Sequence, residues 1–521
     1  METINANSDF KQQIETLNAR LAKQDGLINE LETLVKYYEG QLLLMKRRQF
    51  GVSSEKTDVD VRQITLFGDA SEEVPPEPAI EEITYKRKKR KGKREEDLSG
   101  LPVERIDYEL PEEERGCPKC GKIMSDIGVD VRRELKLIPA RVVVEEHAAH
   151  VYACSGKHDI TPIIKAFAPK PLLSGSLLSP SLAAHIIVQK YSNGLPLYRL
   201  EKGFQYDGAV VSRQNMAGWV MKCAELYLVG IYMLLKNFLV KESTLHSDGT
   251  TIQVLREAGR AAQSKSCEWV YRTSGCSERK IVIYDYQETK GQEHPQAFLK
   301  DFKGYLHTDG AQSYHNLPGD IVVVGCWSHV HRYWENLLKT IPKESRKGSD
   351  AERGVAYINQ LFKLERDFKD LSPEERYKER LERSKPVSDA FFDWVSKLGA
   401  LPKSPLGKPV SYALSQRVYL ENVFLDGRLE ISNNRAERSV KPFVMGRKAW
   451  LFSCTPEGAY ASSVLYSIIE TAKENHLHPY QYIKFLLETL PNTTSGTLDA
   501  LLPWSDSLPA YCRLAAKEGR D

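Results

Sequence analysis

The sequence predicts a multidomain α+β protein, and three observations carry that prediction. An apolar seven-residue period runs through the first fifty residues. A Cys-x-x-Cys-Gly knuckle at 117–121 precedes short β-branched runs. Beyond residue 240, strand-like runs give way to long charged helical stretches. The 521 residues leave room for three or four domains, taking one domain as ~150 residues. Hydrophobic residues make up 41% and charged residues 27%, a composition that excludes a disordered chain. Nine cysteines, an odd and sparse set, exclude a disulfide scaffold and fit a reducing compartment. The N-terminus METINANSDFKQQIE lacks the basic-then-apolar pattern of a secretion signal. The longest nearly uninterrupted apolar run, Leu226 to Leu235, is half of the ~20 residues a membrane span needs. It predicts a buried helix, and no membrane partner is expected.

Residues 10–50 are expected to form a coiled coil. Positions a are Ile14, Leu21, Ile28, Val35 and Leu42; positions d are Leu17, Gln24, Leu31, Tyr38 and Met45. Branched residues at a and leucines at d favour a parallel homodimer, with Gln24 fixing register. A long helix packed on its own globular body is the alternative. Residues 51–100 form a flexible linker. Its acidic, proline-rich part, SEEVPPEPAIEE, cannot bury a core, and KRKKRKGKR at 86–94 follows it. Within that run Lys88, Lys89, Arg90 and Lys91 are candidate phosphate contacts; a solvated tail is the bland reading. Net charge is only +3, so any nucleic-acid affinity must be local.

Residues 101–165 read as a zinc-ribbon-like β module. Cys117 and Cys120 point two thiolates at one ion, and Cys154 with His158 supply the second pair, joined by strands at Val142–Val144 and His150–Tyr152. A structural Zn²⁺ is the implied cofactor; turn-capping cysteines are the alternative. Residues 172–240 predict short helices. Ser179-Pro180 caps the first, Leu195-Pro196 opens the second, Gly208 breaks it, and Ser212 caps the third. The pattern fits a helix-turn-helix-like DNA-binding segment or a plain bundle equally.

From about 241 to 460 the pattern is that of an α/β or α+β domain with a mixed sheet. Strands are expected at 251–255, 280–286, 304–308 and 321–325, and a charged helical insertion at about 340–425. The string H-[ST]-D-G occurs twice, at 246–249 and 307–310, and puts Asp248 and Asp309 at strand-associated turns. Asp-Gly is also an ordinary hairpin pair. A third acid, Glu437, falls on the early face of a helix that Ser432 caps and Pro442 ends. Two strand aspartates and a helix glutamate are what paired Mg²⁺ or Mn²⁺ ions need for phosphoryl transfer. Arg438, Lys441, Arg447 and Lys448 follow the glutamate and are candidate clamps for DNA phosphates. Cys326 and His329, by themselves, read as a core cysteine and a satisfied histidine. Residues 461–521 close the chain as a helical region.

RRQFGVSSEK (47–56), LIPARVVV (137–144), SPSLAAHIIVQKYSNGLPLYRLE (179–201), GCWSHVHRYW (325–334) and SNNRAERSVKPFVMGRKAWLF (432–452) resemble the transposases of the insertion sequence 66 family. So do IIETAKENHLHPYQYI (468–483) and LDALLPW (498–504), so the likeness covers nearly the whole chain in order. The resemblance implies a ribonuclease H-like catalytic domain with an Asp-Asp-Glu triad at Asp248, Asp309 and Glu437, and a DNA-binding role for 101–160. It also implies that Cys326 and His329 are the family's Cys-x-x-His signature. The chain departs from the family at Gly249, where Glu is common, and at Cys154 and His158, where a second Cys-x-x-Cys is. The expected activity is that of a bacterial DNA transposase, cytoplasmic and nucleoid-associated. It would cut at the 3′ ends of an element's inverted repeats and join them to target DNA, with accessory proteins of the same element as possible partners. A catalytically inert DNA-binding regulator and a structure-specific nuclease of the same fold are the rivals.

Overall fold

The computed structural model describes residues 141–153, 163–493 and 498–514, with isolated residues before them. The basic run and Cys117, Cys120, Cys154 and His158 lie outside the described residues, as does the expected coiled coil apart from Gln24, which is helical and exposed. Residues 148–206 and 210–514 belong to one compact unit. Residues 73–147 belong to another, described only at isolated positions and over 141–147.

A two-stranded antiparallel ribbon comes first. Strand β1 (Val151–Ala153) pairs with β2 (Ile163–Lys165), Val151 opposite Lys165. The strand expected at Val142–Val144 is not formed. Those residues pair with no strand among the described residues, and Val143 and Val144 are 77% and 97% exposed. The predicted helices follow: α1 (Pro180–Tyr191), α2 (Leu197–Tyr206) and α3 (Arg213–Cys223). Ser179 Oγ accepts from Leu182 N and Ser212 Oγ from Asn215 N, as the capping argument requires. Gly208 between α2 and α3 takes a φ of +82°, which favours glycine.

A π-helical turn, Ala224–Leu228, joins α3 to α4 (Val229–Leu239). The run Arg213–Leu239 is long and apolar enough to cross a membrane by length and composition. Its Leu228, Ile231, Leu235 and Leu239 are fully buried, and Tyr232 donates through its hydroxyl to the Tyr284 carbonyl. It is therefore a core helix, although Leu226 and Met233, expected inside, are exposed on its other face.

The sheet occupies 244–324. In chain order it comprises β3 (Thr244–Gln253), β4 (Lys265–Thr273), β5 (Val282–Gln287), the short helix α5 (Glu293–Phe298), β6 (Gly304–His307) and β7 (Ile321–Val324). The strand order is β5-β4-β3-β6-β7. The first three form an antiparallel meander, whereas β6 and β7 run parallel to β3. Strand β4 carries no clear strand signal in the sequence, because Lys265, Glu268 and Arg272 interrupt its apolar run. Asp248 does not sit at a turn. It lies in the middle of β3 opposite Val270, and Gly249 is opposite Trp269. A Cβ on Gly249 would lie 3.2 Å from the Trp269 ring and 3.3 Å from Cys267 Sγ. Tight packing, and not a hairpin, accounts for that glycine.

After β7 come α6 (Trp327–Thr340), α7 (Asp350–Asp367), α8 (Pro373–Glu379), a second π turn (Arg380–Ser384), α9 (Lys385–Lys397) and α10 (Gly407–Glu421). Helices α6, α7, α9 and α10 share a core that includes Trp327, Val330, Trp334, Ile358, Leu361, Phe391, Phe392, Trp394 and Ala413. Then come α11 (Asn434–Trp450), α12 (Pro456–Glu474) and α13 (Pro479–Thr489). Pro442 does not end α11. It forgoes one N–H bond, but Val440, Phe443 and Val444 around it are buried and hold the helix to the body. Helix α12 covers the edge strand β5 with hydroxyls. Ser467 Oγ accepts from Tyr284 N at 2.8 Å and Thr471 Oγ1 from Val282 N at 3.0 Å, so two outward N–H groups of this edge strand are satisfied within the chain.

Candidate active site

The repeated His-x-Asp-Gly string builds one half of the site. Strands β3 and β6 are parallel neighbours, and His246 is in register with His307. Their fully buried rings stack at 4.3 Å, 11° from parallel. Side chains two residues apart share a face, so Asp248 follows on the His246 face of β3. Asp309 lies two residues past the end of β6, and its Oδ1 accepts from Ala311 N at 3.0 Å. Gly310 has a φ of +83°, and a Cβ there would meet Gln416 and Tyr412 of α10. The Asp309 loop is thus pressed against that helix, whose Tyr412 hydroxyl donates to the Asp309 carbonyl at 3.0 Å.

Glu437 enters from the first turn of α11 and is 6% exposed. The cap is not Ser432. Asn433 stands at that position, and its side chain is used elsewhere. Asn433 Nδ2 donates to the Ser247 carbonyl at 2.8 Å, its Oδ1 lies 3.0 Å from His246 Nδ1, and its N–H donates to Cys326 Sγ at 3.1 Å. One fully buried asparagine therefore ties β3, the start of α6 and the start of α11 together. No cue in the sequence separates it from its neighbour Asn434.

Cys326 is the N-terminal cap residue of α6, with His329 in the first turn and Arg332 one turn on. Arg332 donates to Glu437 Oε2 at 3.1 Å, and His329 Nδ1 lies 3.7 Å from Glu437 Oε1. Burial raises the Asp248 carboxyl, and the charges of Asp309 and then Glu437 add to it against the Gly249 N–H, which bonds Asp248 Oδ1 at 2.7 Å; the result is about 7. Burial opposes the charge on His329, but Cys326 and Glu437 outweigh it and carry the imidazole up to about 9. The structure thus brings Asp248, Asp309, Glu437, Cys326 and His329 together. Crowded carboxylates of this kind could hold a divalent cation, which would remove the repulsion between them.

The basic residues after Glu437 divide. Arg438 and Lys448 are exposed and Lys441 is half-buried. Arg447 instead donates to Thr250 Oγ1 at 3.1 Å and to the Thr251 carbonyl, fastening α11 to β3 beside Asp248. Glu430 lies below the histidine pair. Its Oε1 is 3.5 Å from His246 Nε2 and accepts from Arg435 Nε at 2.8 Å and Gly275 N at 3.0 Å. Burial works against its ionisation, but His246 and Arg435 hold it well below the usual carboxylate range.

Known proteins are similar to this chain in sequence. The family profile "Transposase IS66 family" matches residues 175–461, which hold all three carboxylates. The "zinc-finger binding domain of transposase IS66" matches 114–156; Cys117, Cys120 and Cys154 fall within it and His158 two residues beyond. The "IS66 C-terminal element" matches 467–504, and "Transposase C of IS166 homeodomain" matches 37–106. Among relatives, uncharacterized protein y4qI of Sinorhizobium fredii is 29% identical, over 89% of this chain and 88% of its own. Uncharacterized protein y4jD of the same organism is 26% identical, over 92% and 96%.

Proposed function

This chain belongs to the IS66 transposase family, and we propose that it is a metal-dependent DNA transposase whose catalytic carboxylates are Asp248, Asp309 and Glu437. The observation that carries this reading is the convergence of three carboxyl groups from three separate elements, in which burial first, and then the charges of Asp309 and Glu437, raise the Asp248 carboxyl to about 7. The sheet, a meander followed by two strands parallel to its first, supports a ribonuclease H-like reading of the domain. The oxygen ligands fit Mg²⁺ or Mn²⁺. Glu437 Oε1, buried and without a hydrogen bond, is a ligand atom held open.

A bound pair of such ions would supply activation of the attacking hydroxyl and charge stabilisation at the leaving oxygen. The chain's own residues do the rest. Asn433 and the stacked histidines fix the strands that carry the aspartates. Arg332 orients Glu437 by holding its Oε2. Arg438, Lys441 and Lys448, on the outward side of α11, would contact DNA phosphates and place the scissile bond over the carboxylates. We assign end recognition to the zinc-finger segment, with Cys117, Cys120, Cys154 and His158 as Zn²⁺ ligands, and to the helices of 172–240. Lys88, Lys89, Arg90 and Lys91 would add sequence-blind affinity, and a coiled coil over 10–50 would pair two protomers across two DNA ends in the bacterial cytoplasm.

The test is strand transfer in vitro with DNA carrying the element's ends and Mg²⁺. Joined products establish the reading. Cleavage without joining identifies a nuclease, and binding with neither identifies a regulator.

A further inference from the structure

Cys326, His329 and Glu437 meet at one point beside the aspartates. One ligand atom from each lies within 4.8 Å of the other two. Two of these atoms, His329 Nδ1 and Glu437 Oε1, are buried and make no hydrogen bond; they face each other at 3.7 Å, too far apart for one, and an ion between them would complete both. The third, Cys326 Sγ, accepts the Asn433 N–H at 3.1 Å. Outer hydrogen bonds to a ligand atom are what orient and tune metal sites. Arg332 plays the same part for Glu437, since it takes Oε2 at 3.1 Å and leaves Oε1 on the His329 side.

We propose that Cys326, His329 and Glu437 form a binding site for a zinc-class transition-metal ion, separate in chemistry from the all-oxygen site but sharing Glu437 with it. Sulfur, imidazole and carboxylate are a donor set that Zn²⁺ and Co²⁺ accept in tetrahedral geometry, whereas Mg²⁺ takes oxygen. Three protein ligands leave a fourth position for water, and His329, with 18% of its side chain accessible, lies on the open side. An ion bound here occupies Glu437 Oε1 and withdraws it from the ions that serve catalysis. Zinc is then an inhibitor that acts through Cys326. This last consequence rests on the reading of Glu437 as a catalytic carboxylate; the binding itself does not.

The experiment uses the full chain with its zinc-finger segment already saturated. Equilibrium dialysis against Zn²⁺ should give the wild type one more equivalent than Cys326→Ser or His329→Asn, each checked for folding by circular dichroism. With Co²⁺ in place of the added zinc, the wild type should show a thiolate-to-cobalt charge-transfer band that Cys326→Ser lacks. Loss of a ligand should weaken binding by more than about 100-fold, the upper end for loss of a mere outer hydrogen bond. Equal stoichiometry in wild type and folded variants overturns the proposal. Should both variants unfold, alkylation of Cys326 in the wild type decides. Protection by Zn²⁺, read at that peptide by mass spectrometry, supports the site, and an unchanged rate overturns it. An extra zinc that leaves Mg²⁺-driven strand transfer untouched supports the site and overturns the inhibition. A chain inactive with Mg²⁺ alone counts against the transposase reading and not against the site.

Discussion

The imidazoles of His246 and His307 lie face to face, 4.3 Å apart, on parallel strands in direct register. Each stands two residues before an aspartate, so the same register carries Asp248 toward Asp309 and accounts for the repeated string in the sequence. Glu437 reaches the same place through Asn433, which bonds both His246 and the carbonyl of Ser247. If these are catalytic carboxylates, Asp248→Asn, Asp309→Asn and Glu437→Gln should each abolish 3′-end cleavage and joining while DNA-end binding stays near wild type. The amide keeps the shape but gives up the charge, a loss of several kcal/mol at the transition state. Near-normal joining by Asp309→Asn with Mg²⁺ ends the assignment.

Glu268 gives a prediction about stability that is independent of metals. It is fully buried in β4, its Oε1 accepts from Ser463 Oγ at 2.6 Å and its Oε2 has no partner. Burial holds the carboxyl protonated far above its usual range. The folded chain therefore keeps a proton that the unfolded chain releases above pH ~4.3. The stabilising contribution is complete below that pH and is lost as pH rises toward the folded value, at up to about 1.4 kcal/mol per pH unit. Glu268→Gln preserves the bond from Ser463 and removes the titration. Its denaturation midpoint should exceed that of the wild type at pH 8 by more than at pH 5. An equal difference at both pH values would show that Glu268 ionises freely.

Glu268 also shows where the sequence is opaque. Strands β5, β6 and β7 and the capped helices α1 and α3 are legible because β-branched runs, Ser-Pro and Gly mark them locally. Strand β4 is hidden because it is buried together with polar groups, a neutral Glu268 and an Arg272 paired with Glu474 at 2.8 Å, and only tertiary partners make those tolerable. Asp248 looks like a turn residue because Asp-Gly usually is one; the pressure of Trp269 and Cys267 on Gly249 appears only once β4 is in place. The Cys326–His329 pair is visible as a signature, but its meeting with Glu437 across more than a hundred residues is not. Pro442 misleads for the same reason, since burial on α11 outweighs one missing hydrogen bond.

The helices between β7 and α11 can be tested by one methyl group. Gly354 of α7 faces Trp334 of α6, and a Cβ there would overlap the indole ring. Trp334 is fully buried in the core it shares with Trp394 and Phe391, so the ring has little room to retreat. Gly354→Ala should lower stability by about 1–3 kcal/mol, as overpacking does, despite the better helix propensity of alanine. Gly203→Ala, in α2 with open space around it, is the control and should be neutral or stabilising by about 0.5–1 kcal/mol. Equal melting temperatures for the two variants would refute the packing argument.

The zinc-finger segment should be needed for DNA and not for the carboxylates. Cys117→Ser removes one of the proposed ligands, and zinc binding supplies much of the folding energy of such small modules. The variant should lose one equivalent of zinc and bind element ends more weakly. Divalent-ion binding at Asp248 and Asp309 should persist, because no described residue of 101–165 belongs to the buried core that holds the sheet carrying them. Full zinc content in the variant would mean that Cys117 is not a ligand.

The basic run is best tested by salt. Lys88, Lys89, Arg90 and Lys91 follow an acidic, proline-rich stretch, so their own charge decides whether the run holds DNA. Each lysine or arginine that meets a phosphate displaces condensed counterions. That makes log affinity fall against log salt with a slope of about 0.9 per phosphate neutralised. Replacing all four by glutamine should flatten the slope by roughly that amount for every phosphate left without its cation, and should weaken binding to element ends and to unrelated DNA alike. Base-reading residues behave differently, because their removal narrows the gap between the two kinds of DNA and leaves the slope nearly unchanged. Titrations at several salt concentrations on both DNAs therefore separate the two roles. An unchanged slope in the fourfold variant would mean that the run is a solvated linker and that affinity comes from the zinc-finger segment and the helical surfaces.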